Sequence, residues 1–390
     1  MKTNRSRREF LALGLALPAT GLASTTDLAR QSLQSAFQSL RASPVKLAYR
    51  TLGKTGLKVT TVGFGCMITS DASVIERAAD LGISYFDTAR GYQHGNNERM
   101  VGAALKRKRK EIVLSTKTPS GNKQSALNDL DTSLRELGTD YVDIWYLHGK
   151  DSLDEVKDEL IEAQQIAKQQ GKTRFAGVST HSPQLLIPAL VKKGSFEVVL
   201  VTYNFTMDKE VGEAIGQAAK AGMGVVGMKV MAGGFRKVKP GDPLASKLKR
   251  DGVMLAALKW VLKNPNVYTT IPSMTDMDQL DENLKAMAEP YSAVEEKILA
   301  RQLEFITPLY CRMCGKCEGT CAKGLPVSDM LRYLTYAEGY GQFALGREEF
   351  RALPPEVSEV RCNQCPSCTV SCPFGVKVAA RLSRAQELFA

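Results

Sequence analysis

Several features that mark common classes of protein are missing from this chain of 390 residues. Beyond its first 23 residues the chain has no apolar run as long as the roughly 20 residues of a transmembrane helix. We therefore expect no membrane-spanning segment after residue 23. No G-x-G-x-x-G follows the first predicted strand, so the local signal for an open dinucleotide-binding sheet is absent. The net charge of +11 owes much to one run, Lys106–Lys110, which lacks interleaved aromatic residues. A solvated helix end explains this run better than a nucleic-acid surface does.

The chain contains enough apolar side chains for a large core. Hydrophobic residues make up 44% of the sequence and charged residues 24%, as in soluble globular proteins. Together with the chain length, this composition predicts one large domain and a smaller one.

Eight of the nine cysteines repeat one spacing, C-x2-C-x2-C-x3-C. The two runs are Cys311, Cys314, Cys317 and Cys321, and Cys362, Cys365, Cys368 and Cys372. This spacing is typical of [4Fe-4S] clusters, and in two-cluster ferredoxins the fourth cysteine of each run binds the other cluster. We therefore expect two [4Fe-4S] clusters, with Cys321 and Cys372 exchanged between the runs.

Zinc knuckles and disulfides are the alternatives for these cysteines. Zinc sites use paired C-x2-C units and do not need the third cysteine that both runs carry. Disulfides become attractive in an exported protein. The ninth cysteine, Cys66, ends the first predicted strand, and we expect it to be buried and to line a pocket.

Residues 1–23 have the order of regions found in a signal peptide. A basic start, an apolar run at Leu11–Leu17 and small residues at Gly21–Ala23 follow one another. Arg7-Arg8 resembles the twin-arginine export signal of bacteria, so we expect a periplasmic or cell-envelope protein. The alternative is a basic N-terminus before an ordinary helix. Residues 24–47 are predicted to form a linker or a loose helix.

From residue 48 to residue 300 the chain alternates between apolar strand-like runs and helical periods. The predicted strands are Val59–Gly65, Tyr85–Thr88, Ile112–Lys117, Tyr141–His148, Phe175–Ser179, Val198–Asn204, Gly224–Met231 and Val267–Pro272. Eight strand–helix units predict an α/β fold, the closed parallel (β/α)8 or TIM barrel. Around Lys54-Thr55-Gly56, two short apolar segments predict a hairpin that plugs the bottom of the barrel.

Four polar residues fall at or just after the ends of the second, third and fourth strands: Asp87, Tyr92, Lys117 and His148. In such barrels the carboxyl ends of the strands share one mouth, where catalytic groups gather. With their neighbours Phe86–Ala89, Ser115–Lys117 and Tyr146–His148, these residues resemble the tetrad of the aldo-keto reductase family. The opening Tyr49–Leu57 resembles the N-terminal hairpin of the same family.

The resemblance implies a role for each member of the tetrad. Tyr92 is the acid that protonates the carbonyl oxygen, and Lys117 lowers its pKa. Asp87 pairs with Lys117, and His148 orients the carbonyl group. The chemistry fits, because hydride reduction places negative charge on oxygen and requires a positioned proton donor.

The resemblance also implies a nicotinamide cofactor, NADP(H) or NAD(H). Tyr203 is expected to stack on the nicotinamide and Ser179 to contact its carboxamide. Met231 and Gly233 are expected along the pyrophosphate, with Ser273, Gln279 and Asn283 at the adenosine end. The family's usual glutamine is Leu200 here, and Thr275 stands where many members have an arginine for the 2′-phosphate. No flavin signature is present, although barrels can bind a flavin through loop backbone.

Residues 301–390 are predicted to form a small, mainly helical ferredoxin-type domain, with helices at Asp329–Ala337 and Gly346–Ala352. The whole chain resembles exported aldo-keto reductases fused to a two-cluster domain. The first expectation is hydride transfer between a nicotinamide and a small-molecule carbonyl or alcohol. The alternatives are a dehydrogenase that passes electrons through the clusters to an envelope partner, and a non-catalytic binding or electron-carrier protein.

Overall fold

The computed structural model describes residues 46–235 and 252–390. The predicted signal peptide, residues 1–23, lies outside the described residues. So does the predicted linker, except for Lys46 and Leu47. Residues 46–390 form one compact unit.

A two-stranded hairpin precedes the barrel, as predicted. Strands β1 (Tyr49–Thr51) and β2 (Lys58–Thr60) are antiparallel, with Tyr49 opposite Thr60. Leu52 and Val59 are fully buried and pack with inward-facing side chains of the barrel strands. The hairpin therefore closes the end of the barrel that lies opposite the carboxyl ends of the strands.

Eight parallel strands form the barrel, each paired with the next in chain order. They are β3 (Phe64–Gly65), β4 (Tyr85–Asp87), β5 (Val113–Thr118), β6 (Val142–Leu147), β7 (Thr173–Thr180), β8 (Val198–Thr202), β9 (Gly224–Met228) and β10 (Thr269–Thr270). Parallel bridges from Val62 to Thr270 and from Gly65 to Ser273 join the last strand to the first. The predicted α/β barrel is confirmed.

Helices cover the outside of the sheet. They are α1 (Ala72–Asp80), α2 (Asn96–Leu105), α3 (Lys123–Leu137), α4 (Asp158–Gln169), α5 (Pro183–Lys193), α6 (Lys209–Lys220), α7 (Val253–Leu262) and α8 (Met277–Ala288). Asn122 caps α3 by accepting a hydrogen bond from the Ser125 backbone N–H, and Gly138 ends it in the left-handed region. Local sequence signals thus fix both ends of this helix.

The C-terminal part of the chain is mainly helical. Its helices are α9 (Ala293–Ile306), α10 (Val327–Glu338), α11 (Phe343–Arg351), α12 (Pro355–Ser358) and α13 (Val378–Phe389). A separate apolar cluster, which includes Leu334, Phe350 and Phe389, holds α10, α11 and α13 together. Helix α9 runs continuously through the predicted domain boundary at residue 300, and Leu299 packs on Ala256 and Ala257 of α7. In the parts of the chain described, no helix has the length and apolarity needed to span a membrane.

Candidate active site

The four predicted catalytic residues meet at the carboxyl ends of β4, β5 and β6. Asp87 ends β4, Lys117 lies in β5, His148 follows β6, and Tyr92 begins a short 3-10 turn after β4. The Lys117 ammonium donates hydrogen bonds to the Asp87 carboxylate at 2.5 Å and to the Tyr92 hydroxyl at 3.2 Å. The parallel strands bring these residues together because neighbouring strands end at the same rim.

Lys117 is buried, and its partners keep it charged. Burial disfavours the ammonium, but Asp87 and Tyr92 outweigh burial, so the pKa of Lys117 is raised. Ser115 donates a hydrogen bond of 2.7 Å to the other oxygen of the Asp87 carboxylate. The lysine is therefore a fixed positive charge beside the Tyr92 hydroxyl.

Tyr92 sits between two opposing effects. Burial raises its pKa, and the Lys117 ammonium acts in the opposite direction, as the resemblance implied, but does not outweigh burial. The Tyr92 phenol is therefore protonated at neutral pH. It is ready to give a proton to a developing oxyanion, and the lysine beside it stabilises the tyrosinate that remains.

His148 faces Tyr92 edge-on, with the two ring centroids 5.8 Å apart and the planes at 79°. Burial, together with nearby cations of which Lys117 is the first, lowers the pKa of His148 well below its usual range. The imidazole is therefore neutral. A neutral imidazole can hydrogen-bond to a carbonyl oxygen without competing with Tyr92 as the acid.

The turn that carries Tyr92 has a strained backbone. Gln93 and His94 adopt left-handed conformations, with φ of 50° and 53°. The Gln93 side chain donates to the Thr69 carbonyl at 2.9 Å, and His94 lies 3.1 Å from the Glu348 carboxylate of α11. The barrel and the C-terminal region therefore both hold this turn in place.

Comparison with known proteins agrees with this geometry. The aldo/keto reductase family profile matches residues 69–302, more than half of the chain. The chain belongs to the aldo/keto reductase family. It is therefore an oxidoreductase of a family whose members typically depend on NAD(P)H.

Individual relatives align over the barrel. The uncharacterized oxidoreductase YqkF of Bacillus subtilis is 29% identical over 296 residues, which cover 65% of this chain and 95% of the relative. L-galactose dehydrogenase of Arabidopsis thaliana is 29% identical over 284 residues, covering 63% of this chain and 89% of the plant enzyme. Among solved structures, the holo form of aldo-keto reductase AKR11C1 from Bacillus halodurans matches with a TM-score of 0.57 at 30% identity. That alignment covers 66% of this chain and 96% of the other.

Two of the residues expected to contact the nicotinamide half of the cofactor lie at different places in the structure. Ser179, near the end of β7, accepts a hydrogen bond of 2.8 Å from the Gly149 backbone N–H, next to His148. Tyr203 instead packs on Trp260 of α7, 5.0 Å between centroids, and its hydroxyl accepts a hydrogen bond from Asn264. The structure thus does not bring Tyr203 to the tetrad, and its stacking role came from resemblance alone.

The loop after β9, which contains Met231 and Gly233, packs against the C-terminal region. A Cβ atom on Gly233 would lie 2.9 Å from the Tyr310 ring, and one on Gly339 only 2.0 Å from the Gly233 carbonyl oxygen. Both glycines allow backbone and ring to approach closely. A nucleotide along this loop would therefore also lie against Tyr310 and Gly339.

The residues expected at the adenosine end lie around the start of α8. Ser273 forms the bridge that closes the barrel, and Asn283 is buried within α8. The Gln279 side chain donates to the Thr275 hydroxyl at 2.9 Å and to the Asp276 carboxylate at 2.8 Å. Gln279 thus stabilises the first turn of α8, so in this conformation its amide group is engaged within the protein.

Helix α10 contributes side chains to the mouth that sequence reasoning missed. The Lys229 ammonium lies over the ring of Tyr336, 5.2 Å from its centroid, and over that of Tyr340 at 5.9 Å. Charge on Tyr92 affects the pKa of both Tyr336 and Tyr340, and Arg332 affects that of His148. Residues of α10 and of the segment after it are therefore close enough to the tetrad to interact with it electrostatically.

Cysteines from the two runs mix in space. One pocket is lined by Cys311, Cys314, Cys317 and Cys372, the first three members of one run and the last member of the other. The remaining four are also close together. Burial raises the pKa of Cys362 to about 11, and the nearby thiols that add to this effect are Cys321, Cys365 and Cys368. None of the nine cysteines forms a disulfide, and Cys66 is fully buried.

No group of three or more His, Cys, Asp or Glu side chains in the described residues has the geometry to hold a single metal ion. Two of these cysteines nevertheless accept backbone hydrogen bonds at sulfur, as cysteines that bind iron–sulfur clusters do. Backbone N–H groups of Met313 and Phe374 point at the sulfurs of Cys311 and Cys372, at 3.3 and 3.4 Å. Hydrogen bonds to sulfur of this kind tune iron–sulfur clusters.

The first cysteine run is attached to the rim of the barrel. Tyr310, which precedes Cys311, accepts a hydrogen bond of 3.1 Å from the Asn204 side chain after β8. The Ser182 hydroxyl donates to the Met313 carbonyl at 3.0 Å, and Arg312 pairs with Asp208 at 2.7 Å. Two loops of the mouth, those after β7 and β8, therefore contact this run directly.

Proposed function

We propose that this protein transfers hydride between NADP(H) or NAD(H) and a small-molecule carbonyl or alcohol. The observation that carries the proposal is the Lys117 ammonium, bound at once to the Asp87 carboxylate and the Tyr92 hydroxyl. This arrangement prepares a proton donor beside a neutral His148 at the mouth of the barrel.

In the reducing direction the bound nicotinamide would supply a hydride to the carbonyl carbon. Tyr92 gives its hydroxyl proton to the carbonyl oxygen as negative charge develops there. Lys117 stabilises the resulting tyrosinate, and Asp87 keeps the lysine charged and in place. His148 holds the carbonyl oxygen by a hydrogen bond, which fixes the carbon that receives the hydride. In the oxidising direction the same groups act in reverse.

Replacing Tyr92 by phenylalanine tests this assignment. We expect the rate of aldehyde reduction with NADPH or NADH to fall by about 10²- to 10⁴-fold, because the proton donor is lost while the ring remains. Nicotinamide binding, followed by fluorescence, should not change. Tyr49→Phe in the exposed hairpin is the matched control and should keep the parent rate. A Tyr92→Phe enzyme as fast as its parent would refute the proposal.

We further propose that the C-terminal region holds two [4Fe-4S] clusters. Their ligands would be Cys311, Cys314, Cys317 and Cys372 for one cluster, and Cys321, Cys362, Cys365 and Cys368 for the other. Each group combines the first three cysteines of one run with the fourth cysteine of the other. This arrangement supports the proposal, because in two-cluster ferredoxins of this spacing the fourth cysteine of each run binds the other cluster. In a cubane each thiolate binds a separate iron atom, so the four sulfurs need not converge on one point as they do around a single ion. When bound, such clusters supply one-electron redox chemistry or structural cross-links.

A second candidate function is a dehydrogenase that sends electrons through the clusters to an envelope redox partner. The contacts of Tyr310, Arg312 and Met313 with the barrel rim favour it, because they hold one cysteine group beside the mouth. It has a chemical obstacle. Nicotinamide gives two electrons at once whereas a cluster takes one, so the coupling requires a group such as a flavin to divide the pair.

A non-catalytic binding or electron-carrier role is disfavoured by the intact tetrad.

We also propose export by the twin-arginine route to the periplasm or cell envelope. The sequence of residues 1–23 supports export. The twin-arginine route carries folded proteins, so a cluster could be assembled in the protein before export.

A further inference from the structure

Lys229 is a cation at the mouth of the barrel with no carboxylate partner in the described part of the chain. It follows β9 directly, in a left-handed conformation with φ of 53°. The contacts of its ammonium group are the faces of Tyr336 and Tyr340, which are stacked 5.7 Å apart. Aromatic faces attract a cation but accept no conventional hydrogen bond from it. The ammonium protons of Lys229 therefore remain available to a ligand.

The neighbouring cations differ from Lys229 in having carboxylate partners. Lys117 pairs with Asp87, and Arg332 pairs with Asp329 at 2.8 Å. Arg332 still has spare capacity, because its Nε atom is buried and has no hydrogen-bond partner. Its Nη1 atom lies 3.5 Å from Nδ1 of His181. Lys229 and Arg332, both half-buried, thus lie near the mouth with unused donors.

Two acidic groups lie near Lys229, but neither pairs with it. The Asp151 carboxylate accepts hydrogen bonds from the His181 backbone at 2.6 Å and the Thr180 hydroxyl at 3.0 Å, and its other oxygen lies 3.0 Å from the His181 ring. Burial raises the pKa of Glu349 on α11. Both groups affect the pKa of Lys229, yet neither forms an ion pair with it.

A half-buried ammonium without an anionic partner is costly, because its charged form loses part of its hydration. Burial, with Arg332 acting in the same direction, accordingly lowers the pKa of Lys229 to about 7. An anion bound between the two cations would offset this cost. The same two cations act on His148, whose pKa they lower. Both cations are therefore close enough to His148 to act on its charge.

We propose that Lys229 and Arg332 together bind the anionic group of the carbonyl substrate, a carboxylate or a phosphate. The substrate class is thus an aldehyde or ketone that carries such a group, and this assignment rests on the proposed hydride-transfer function. Because Arg332 belongs to α10, the C-terminal region takes part in substrate selection by the barrel. The alternative source of an anion is the pyrophosphate of the nicotinamide cofactor.

The test compares matched pairs of aldehydes that differ in charge. The probes are 4-carboxybenzaldehyde with benzaldehyde, and glyceraldehyde 3-phosphate with glyceraldehyde, each reduced with NADPH or NADH. For the parent we expect the charged member of at least one pair to be preferred in kcat/KM by about tenfold or more, as for hydrogen bonds to a charged group.

Lys229→Met should remove this preference through KM while leaving the reduction of the neutral aldehydes within about twofold. Lys229→Arg should keep most of the preference because it keeps the charge. Lys263→Met is the matched control: Lys263 also lies over a tyrosine, Tyr291, at 5.2 Å, but on the exposed surface. It should change nothing.

Binding measurements distinguish a substrate anion from the cofactor pyrophosphate. They also test the anion site separately from the proposed hydride transfer. Calorimetric titration of the charged and neutral probes into the Tyr92→Phe protein should show the same preference without turnover. If no aldehyde is reduced but the binding preference depends on Lys229, the proposed reaction fails and the anion site stands. The anion proposal is overturned if the parent shows no preference for either charged probe. It is also overturned if Lys229→Met weakens NADPH and NADH binding instead, or if borohydride traps an imine on Lys229.

Discussion

At the residue scale, the tetrad depends on one buried lysine with two partners. Asp87 keeps Lys117 charged, and Lys117 in turn bonds to the hydroxyl that must give up a proton. Removing either charge alone would leave the other buried and unpaired, at a cost of about 3–5 kcal/mol in stability. The pair is therefore part of the fold as well as of the chemistry.

The pKa directions in the mouth predict the pH dependence of reduction. Burial keeps His148 neutral and Tyr92 protonated, since the pKa of the histidine is lowered and that of the tyrosine raised. With benzaldehyde, a neutral substrate, kcat/KM should be flat from about pH 6 to about pH 9 and fall only as the tyrosine loses its proton. The measurement is the pH profile of the parent and of His148→Gln.

His148→Gln should lower the whole profile without changing its shape. An acidic limb near pH 6.5 that is present in the parent and absent from this variant would contradict the account. Such a limb would mean that His148 gains a proton in the working range.

Single residues differ in how far the sequence identified them. Asp87, Tyr92, Lys117 and His148 could be found because each lies at or near the end of a strand, and strand ends converge in this fold. Lys229 and Arg332 were missed because nothing local joins positions 229 and 332. The predicted strand Gly224–Met231 contained Lys229, whereas the strand in the structure ends at Met228, just before it. The Tyr203 ring packs on Trp260, and its stacking on the nicotinamide stays a prediction.

At the scale of elements, apolar runs predicted the interior strands well and the closing strands poorly. Strands β5 to β8 begin and end within two residues of the predicted runs. The run Val59–Gly65 instead divides into part of the hairpin and the two-residue strand β3, and Val267–Pro272 contains only the two-residue strand β10. These segments close the barrel through isolated bridges, and an apolar pattern does not distinguish such extended loops from strands.

The two cysteine loops allow a direct test of the predicted clusters. Cys372→Ser should lower the iron content from about eight to about four atoms per chain, because it removes one ligand from the group around Cys311. Cys66→Ala, which changes a buried cysteine outside both runs, should keep the full content. Iron and acid-labile sulfide would be measured in protein prepared without oxygen.

Two results would contradict the cluster assignment. One is a parent protein that contains zinc or no metal, and the other is a Cys372→Ser protein that retains all of its iron. The loss of iron from the Cys66→Ala protein would instead show that the measurement reports general instability.

At the scale of the whole molecule, the C-terminal region and the barrel share one site. Glu348 reaches the turn that carries Tyr92, Tyr310 bonds to Asn204, and Gly339 lies against Gly233. The sequence predicted α10 and α11 of this region, but neither α13 nor the docking of these helices over the mouth. Docking is decided by side chains that are distant in sequence, and periodicity carries no information about them. Helix α9 crosses the predicted boundary at residue 300, and the division into two domains stays a prediction.

This docking bears on the choice between the two proposed routes for electrons. One cysteine group lies beside the rim and therefore near the proposed substrate site. Both direct hydride transfer and electron transfer through clusters are compatible with this position. The tetrad, however, is built to move a proton together with a hydride, and nothing in its geometry requires a one-electron step. The central claim is therefore that hydrogen passes directly from the nicotinamide to the carbonyl carbon.

Isotope transfer tests this claim most directly. The protein would reduce an aldehyde with NADPH or NADH that carries deuterium at one face of nicotinamide carbon 4, each face in turn, and the alcohol would be analysed by mass spectrometry. The account predicts that one face delivers its deuterium to the alcohol carbon in nearly every turnover. An alcohol formed without deuterium from either face would contradict it, because the electrons would then have travelled separately from the hydrogen.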